Sequence, residues 1–199
     1  MKNHLSSFLF LFILSITIIG CNQVNNVPVI ANEVEVPKVD SLAIQLHKLD
    51  SIYNSGNLVH IDIYKLGKLK SIEFSVQSID SEEAVIQFIN LRKDCGNEYY
   101  YSWEDARLLP SECKYLMNAI ESVKKNLNRT TDHEERYAYI TKDDIRLFAF
   151  NDGGGSKWKI ALSVDYRKER SEVILNEEEL KQFVRLVNTG LDKIEQIKK

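Results

Sequence analysis

Apolar residues change their period several times along this chain, and each change marks an element. Leu5 to Ile19 form an apolar run interrupted only by Ser and Thr. Residues 22–39 follow, with asparagines, two prolines and no lasting period, so this stretch reads as a tether. From Asp40, a good N-cap type, Leu42, Leu46, Leu49 and Tyr53 recur at helical spacing up to Gly56, a natural stop. Val59, Ile61 and Ile63 then alternate with His60, Asp62 and Tyr64, the pattern of a half-buried strand with its polar triplet on the solvent side. After a turn at Leu66-Gly67-Lys68, Ile72, Phe74 and Val76 alternate with Glu73, Ser75 and Gln77. Ala84 to Leu91 carries two signals. Ser81-Glu82-Glu83 is a helix-cap pattern, but the Val-Ile-Gln-Phe-Ile run suits a strand, and a strand is expected. Gly96-Asn97 makes a turn, and Tyr99 to Trp103 reads as the next strand. Pro110, Ser111 and Glu112 open a helix with the stripe Cys113, Leu116, Met117, Ile120 and Leu127.

The second half repeats this order. Strand patterns cover Tyr137 to Thr141, Ile145 to Phe150, Trp158 to Asp165 and Glu172 to Leu175. Glu177-Glu178-Glu179 suits the first turn of a last helix, whose stripe is Leu180, Phe183, Val184, Val187, Leu191 and Ile194. A shift of 67 residues places Cys113, Leu116, Met117, Ile120 and Leu127 on Leu180, Phe183, Val184, Val187 and Ile194. The expected fold class is α+β: an N-terminal helix, then two antiparallel ββββα units packed as one domain over 40–199. The units would be repeats at 58–127 and 136–196. The rival explanation is that amphipathic helices share a pattern without common descent. The layout is similar in topology to the PUR-alpha and Whirly folds, a likeness that carries no function by itself.

The end of the first apolar run gives the chain an address. Ile18-Ile19-Gly20-Cys21 resembles the lipobox of bacterial lipoproteins, and Lys2 with the free amine makes a positive start before it. The resemblance implies that residues 1–20 are a lipoprotein signal peptide, cleaved to leave an acylated Cys21 on a tether that ends at residue 39. An uncleaved anchor is the alternative, but fifteen helical residues span about 22 Å, short of a hydrocarbon core of about 30 Å. Several acyl chains would hold the protein durably to the cell envelope. Downstream, His60 to Tyr64, Tyr99 to Trp103 with the acidic helix start that follows, Tyr139 to Ile145, Lys157-Trp158 and Val173 to Glu178 resemble small exported proteins of Bacteroidetes-type bacteria. That family has no assigned activity.

Charge and composition exclude more than they assign. Removing residues 1–20 removes Lys2 alone and leaves 25 basic against 29 acidic residues, a net of −4. Such a balance argues against nucleic acid as a partner, since a phosphate-binding surface needs basic excess. Two cysteines follow Cys21. In an oxidising compartment Cys95 and Cys113 are candidates for a disulfide, which would close a loop of about 18 residues and contribute about 3 kcal/mol. The alternative is that Cys113 is a small core residue on its helix stripe. No Cys-x-x-Cys, His-Glu-x-x-His, Gly-x-Ser-x-Gly or phosphate loop occurs, and no metal or cofactor is expected. Asp132-His133-Glu134-Glu135 reads as a solvated charge run and Gly153-Gly154-Gly155 as a hairpin tip.

Aromatics are the remaining lead. Tyr99, Tyr101 and Trp103 alternate onto one sheet face, as Tyr137 and Tyr139 do in the second half. Exposed, such a row binds sugars or peptides; buried, it packs beneath the helices. The functional expectation is a membrane-tethered, non-enzymatic binding module for a protein, peptide or glycan. A hydrolase of envelope polymers using carboxylates with His60 or His133 is the first alternative, and an inhibitor-like or structural envelope protein the second.

Overall fold

The computed structural model describes residues 39–56, 58–80, 85–96 and 102–198. The expected signal peptide, Cys21, the expected tether before Val39, Tyr99 and Tyr101 lie outside these residues. The described chain is α+β, with three helices and two four-stranded antiparallel sheets. Helix α1 (Val39–Asn54) is followed by β1 (His60–Leu69), β2 (Ile72–Asp80), β3 (Val85–Asp94), β4 (Trp103–Leu108) and α2 (Pro110–Asn126). The second unit is β5 (Glu135–Ile140), β6 (Arg146–Asn151), β7 (Lys159–Ser163), β8 (Glu172–Leu175) and α3 (Glu177–Ile197). Each sheet keeps its strands in chain order, β1-β2-β3-β4 and β5-β6-β7-β8.

The two units are interlocked. Helix α3 packs chiefly on the other unit's sheet, and α2 touches β3 of its own sheet as well as β5 and β6 of the other. The second unit's helix, α3, lies on the first sheet: Phe183 meets Phe74 edge-on with ring centroids 5.9 Å apart, and Gln182 Nε2 donates to the Lys68 carbonyl at 2.8 Å. The first unit's helix, α2, reaches the second sheet, where Glu112 Oε1 accepts the Lys142 amide at 2.8 Å. The main core accordingly combines Phe74, Ile89 and Leu108 of the first sheet with Leu147 and Leu162 of the second, and with Leu116, Ile120, Phe183 and Val187 of the helices.

A smaller core lies on the opposite face of the first sheet. There α1 buries Leu42, Leu46, Leu49 and Ile52 against Ile79, Phe88 and Leu109. This helix begins at Val39, so Asp40 lies within its first turn rather than capping it. Tyr53 is half-exposed, and Ile52 takes the buried place expected for it.

Strand β1 departs most from its alternation. Val59 and Ile61 pack toward α1 as expected, but Ile63 is exposed and Tyr64 packs against the main core. Each face of β1 is covered along only part of its length: α1 covers one side early, and α3 covers the other later. A bulge between Lys65 and Gly67 then resets the register, pairing Lys65 with Ser75 but Gly67 with Phe74. Gly67 has φ of +148°, and a Cβ there would come 3.2 Å from Leu186 Cδ2 of α3.

Two further expectations are corrected. The strand expected to end at Trp103 runs on: Glu104 to Leu108 continue it as β4, because their alternate residues Ala106 and Leu108 fill the main core. Cys95 and Cys113 are both free. Cys113 is fully buried on the α2 stripe, where burial pushes its thiol up to about 12. Cys95 lies beyond the end of β3, with its Sγ 3.5 Å from the Arg170 carbonyl.

Candidate functional site

Register assigns the residues of the first sheet's outer face. Lys68, Glu73, Arg92 and Asp105 are successive cross-strand partners, as are Lys65, Ser75, Asn90 and Arg107. Ile63, Gln77 and Phe88 make a third row. Phe88 is covered by α1, which also reaches Arg107 at the β4 end of the second row; among the described residues no helix covers the rest of those two rows. The uncovered part forms a cleft of about 350 Å³, at the small end of ligand cavities, lined by Ile63, Lys65, Ser75, Gln77, Asn90 and Arg92 among others.

Hydrogen bonds hold this surface in place. Lys68 Nζ is 2.5 Å from Glu73 Oε1, and that bond with its charge holds the Glu73 carboxyl below its ordinary value. Arg92 binds Asp105 with two nitrogens, Nε to Oδ1 at 2.8 Å and Nη2 to Oδ2 at 3.3 Å. Asn90, only 6% exposed, donates to the same Asp105 Oδ1 at 3.2 Å. The guanidinium of Arg92 also sits 5.5 Å from the centroid of the Trp103 ring, a cation–π distance. Trp103 shares the outer parity of Asp105 and keeps 44% of its surface exposed. Of the aromatic row, the one described member is therefore on the open face and not beneath the helices.

Next to the cleft, Arg107 on β4 is the register partner of Asn90. Its amide and Nε donate to Asp143 Oδ2 at 2.6 and 3.0 Å, Nη2 donates to Asp143 Oδ1 at 2.8 Å, and Nη1 donates to Asp50 Oδ1 of α1 at 2.6 Å. One side chain thus ties β4 to α1 and to the turn before β6. These bonds, Asp143 first, raise its pKa and keep it charged.

Other sites named by the sequence do not converge. His60 faces Asp62 at 3.7 Å on exposed β1, whereas His133 faces Glu135 at 3.3 Å beside the second sheet. Tyr137 and Tyr139 turn inward; Tyr137 packs on Trp158 with centroids 5.4 Å apart, and burial raises both phenols. Glu112 has a carboxyl pKa raised by burial, but its oxygens accept the Leu109 and Lys142 amides, a structural role at the start of α2. Among the described residues, no group of three or more His, Cys, Asp or Glu could hold a metal ion. None of the described helices is long and apolar enough to cross a membrane.

Sequence reasoning missed Ser75, Gln77, Asn90 and Arg92 as site residues, because each looks like the solvent half of an amphipathic strand. The second sheet's outer face was also missed. Phe148 and Phe150 stack there at 5.2 Å, beside exposed Ile140 and Ile174. A signal existed in Arg146-Leu-Phe-Ala-Phe-Asn151, where both alternating sets are largely apolar. Comparison with protein families, curated proteins and solved structures finds no match for this chain.

Proposed function

We propose that this protein is a lipid-tethered envelope protein that binds a saccharide on the outer face of its first sheet. The Cys21 motif after an apolar run supports the tether. The observation that carries the binding reading is the cleft: a serine, two amides and the Lys68–Glu73 ion pair line it, and Arg92 at its edge links it to the half-exposed Trp103 ring just outside. Planar amides and carboxylates donate and accept in pairs, as vicinal sugar hydroxyls require, and an aromatic face stacks on the apolar face of a sugar ring. Extended peptides held through apolar side-chain pockets would find little here beyond Ile63.

The carboxylates favour holding over cleaving. Glycoside hydrolysis needs one carboxyl raised toward neutrality as general acid. Glu73 is instead held ionised by Lys68, and Asp105 is bound by Arg92 and Asn90.

The test uses the full-length chain in detergent on an array of envelope and plant-type oligosaccharides. Binding should be detected for at least one class, and Trp103→Ala should weaken it about tenfold or more through lost stacking. Absence of binding to every saccharide would sink the reading. In cells, labelled fatty acid should enter the wild type and not Cys21→Ala; equal labelling of both would remove the lipobox from the argument.

A further inference from the structure

We infer that the saccharide held by this cleft carries an anionic substituent, such as a ring carboxylate, and that Lys65 contacts it. The inference rests on the saccharide reading and adds the ligand's charge. Three cations line the cleft, Lys65, Lys68 and Arg92, against the single carboxylate of Glu73. Lys68 is satisfied by Glu73, and Arg92 commits two of its three nitrogens to Asp105 from the edge of the cleft. Lys65 makes no ion pair within contact distance among the described residues, and its charge acts on Glu73 only from farther off, behind Lys68. One positive charge is therefore left over at the cleft of a chain whose net charge is −3, so the excess is local and not a reflection of a basic protein.

Its position gives that charge company. Lys65 is the register partner of Ser75, which is the partner of Asn90. An ammonium, a hydroxyl and an amide thus stand in a row across three strands. That is a donor-rich line suited to an anionic group, with the flanking ion pairs left to meet hydroxyls. A neutral sugar would use the amides and the Trp103 ring and leave Lys65 idle. A polyanion such as nucleic acid would need several uncompensated cations in a track, and here two of the three are already paired.

The experiment compares a galacturonate oligomer with the same oligomer after reduction of its carboxyl groups, using the full-length chain in detergent. The acidic form should bind more tightly. Lys65→Glu should weaken that binding about fivefold or more, and leave the reduced oligomer unchanged. Lys65 is exposed, so the variant is expected to fold; an unchanged melting temperature checks this. The acid-specific part should also fade as salt rises. Equal affinity for both oligomers, or a Lys65→Glu loss that affects both alike, would overturn the inference and leave the saccharide reading standing. Binding to neither in a chain that binds another, neutral sugar would overturn it too. Failure to bind any saccharide would remove both. Tighter binding of a single-stranded oligonucleotide than of the galacturonate would replace both with a polyanion site.

Discussion

Glu104 shows what one buried charge does between the two sheets. It lies on the core-facing side of β4, opposite Lys93, where the main core gives way to polar groups. Lys168 Nζ reaches its Oε2 at 2.5 Å and Arg170 Nη2 its Oε1 at 2.6 Å, both from the segment before β8, while Lys93 donates to the Arg170 carbonyl. The Lys168 bond, then Arg170, holds the Glu104 carboxyl below its ordinary value. A carboxyl depressed by folding stabilises the fold fully above its unfolded pKa, about 4.3, and loses that contribution as pH falls toward the folded value. Glu104→Gln should therefore melt lower than wild type at pH 7, with the gap narrowing below about pH 4.3. Melting curves from pH 7 to 3 check it, and a constant gap would show that the charge is not what Glu104 contributes. At this scale the sequence reads composition better than surroundings. Glu104 looks like any acidic surface residue in Trp103-Glu104-Asp105, and only the approach of Lys168, far along the chain, makes it interior. Ile63 and Tyr64 exchange their expected environments for the same reason, since alternation gives parity but not which neighbour covers which face.

Among the elements, α3 carries the most legible signal and the tightest constraint. Its capping box is visible as Asn176 followed by Glu179: Asn176 Oδ1 accepts the Glu179 amide at 2.9 Å, and Glu179 Oε2 accepts the Asn176 amide at 2.8 Å. Leu180, Phe183, Val187 and Ile194 are buried as the stripe predicts, while Val184 and Leu191 are only partly so. What the stripe does not reveal is Gly190. A Cβ there would lie 2.6 and 2.8 Å from the outer carbons of Ile89 and 3.1 Å from Leu66 Cδ1, so the missing side chain is the seat of the helix on β1 and β3. Alanine in a helix is ordinarily favoured over glycine by about 1 kcal/mol. Here overpacking should win, and Gly190→Ala should lose about 1–3 kcal/mol in chemical denaturation. Ile89→Val, which removes the closest carbon at a cost of about 0.5–1.5 kcal/mol, should recover part of that loss when combined with it. Strict additivity of the two changes would mean that the helix shifts away instead.

For the whole molecule, the exchange of helices between units makes the halves interdependent. Neither sheet has its inner face covered by its own unit alone: Phe74 depends on Phe183, and Glu112 of α2 closes onto Lys142 beside the second sheet. The chain should unfold in one transition. Fragments 40–127 and 136–199 expressed apart should show little amide protection, and mixing them should restore it. Independent protection in either fragment would show that a unit is a self-sufficient domain. The sequence by itself determined the element order, the α+β class and the internal likeness of the two halves, because period, capping and turn chemistry act within a few residues. It also placed Trp103 in an alternating aromatic row, but left open whether that row is exposed or packed beneath the helices. Only the tertiary structure decided that α2 and α3 reach across to the other unit's sheet, that α1 covers just one end of the first sheet, and that Lys65, Ser75, Asn90 and Arg92 share the open remainder. Those outcomes depend on which amphipathic faces meet across long separations. Hydrophobic burial is non-directional, so a stripe specifies that it must be covered but not by what.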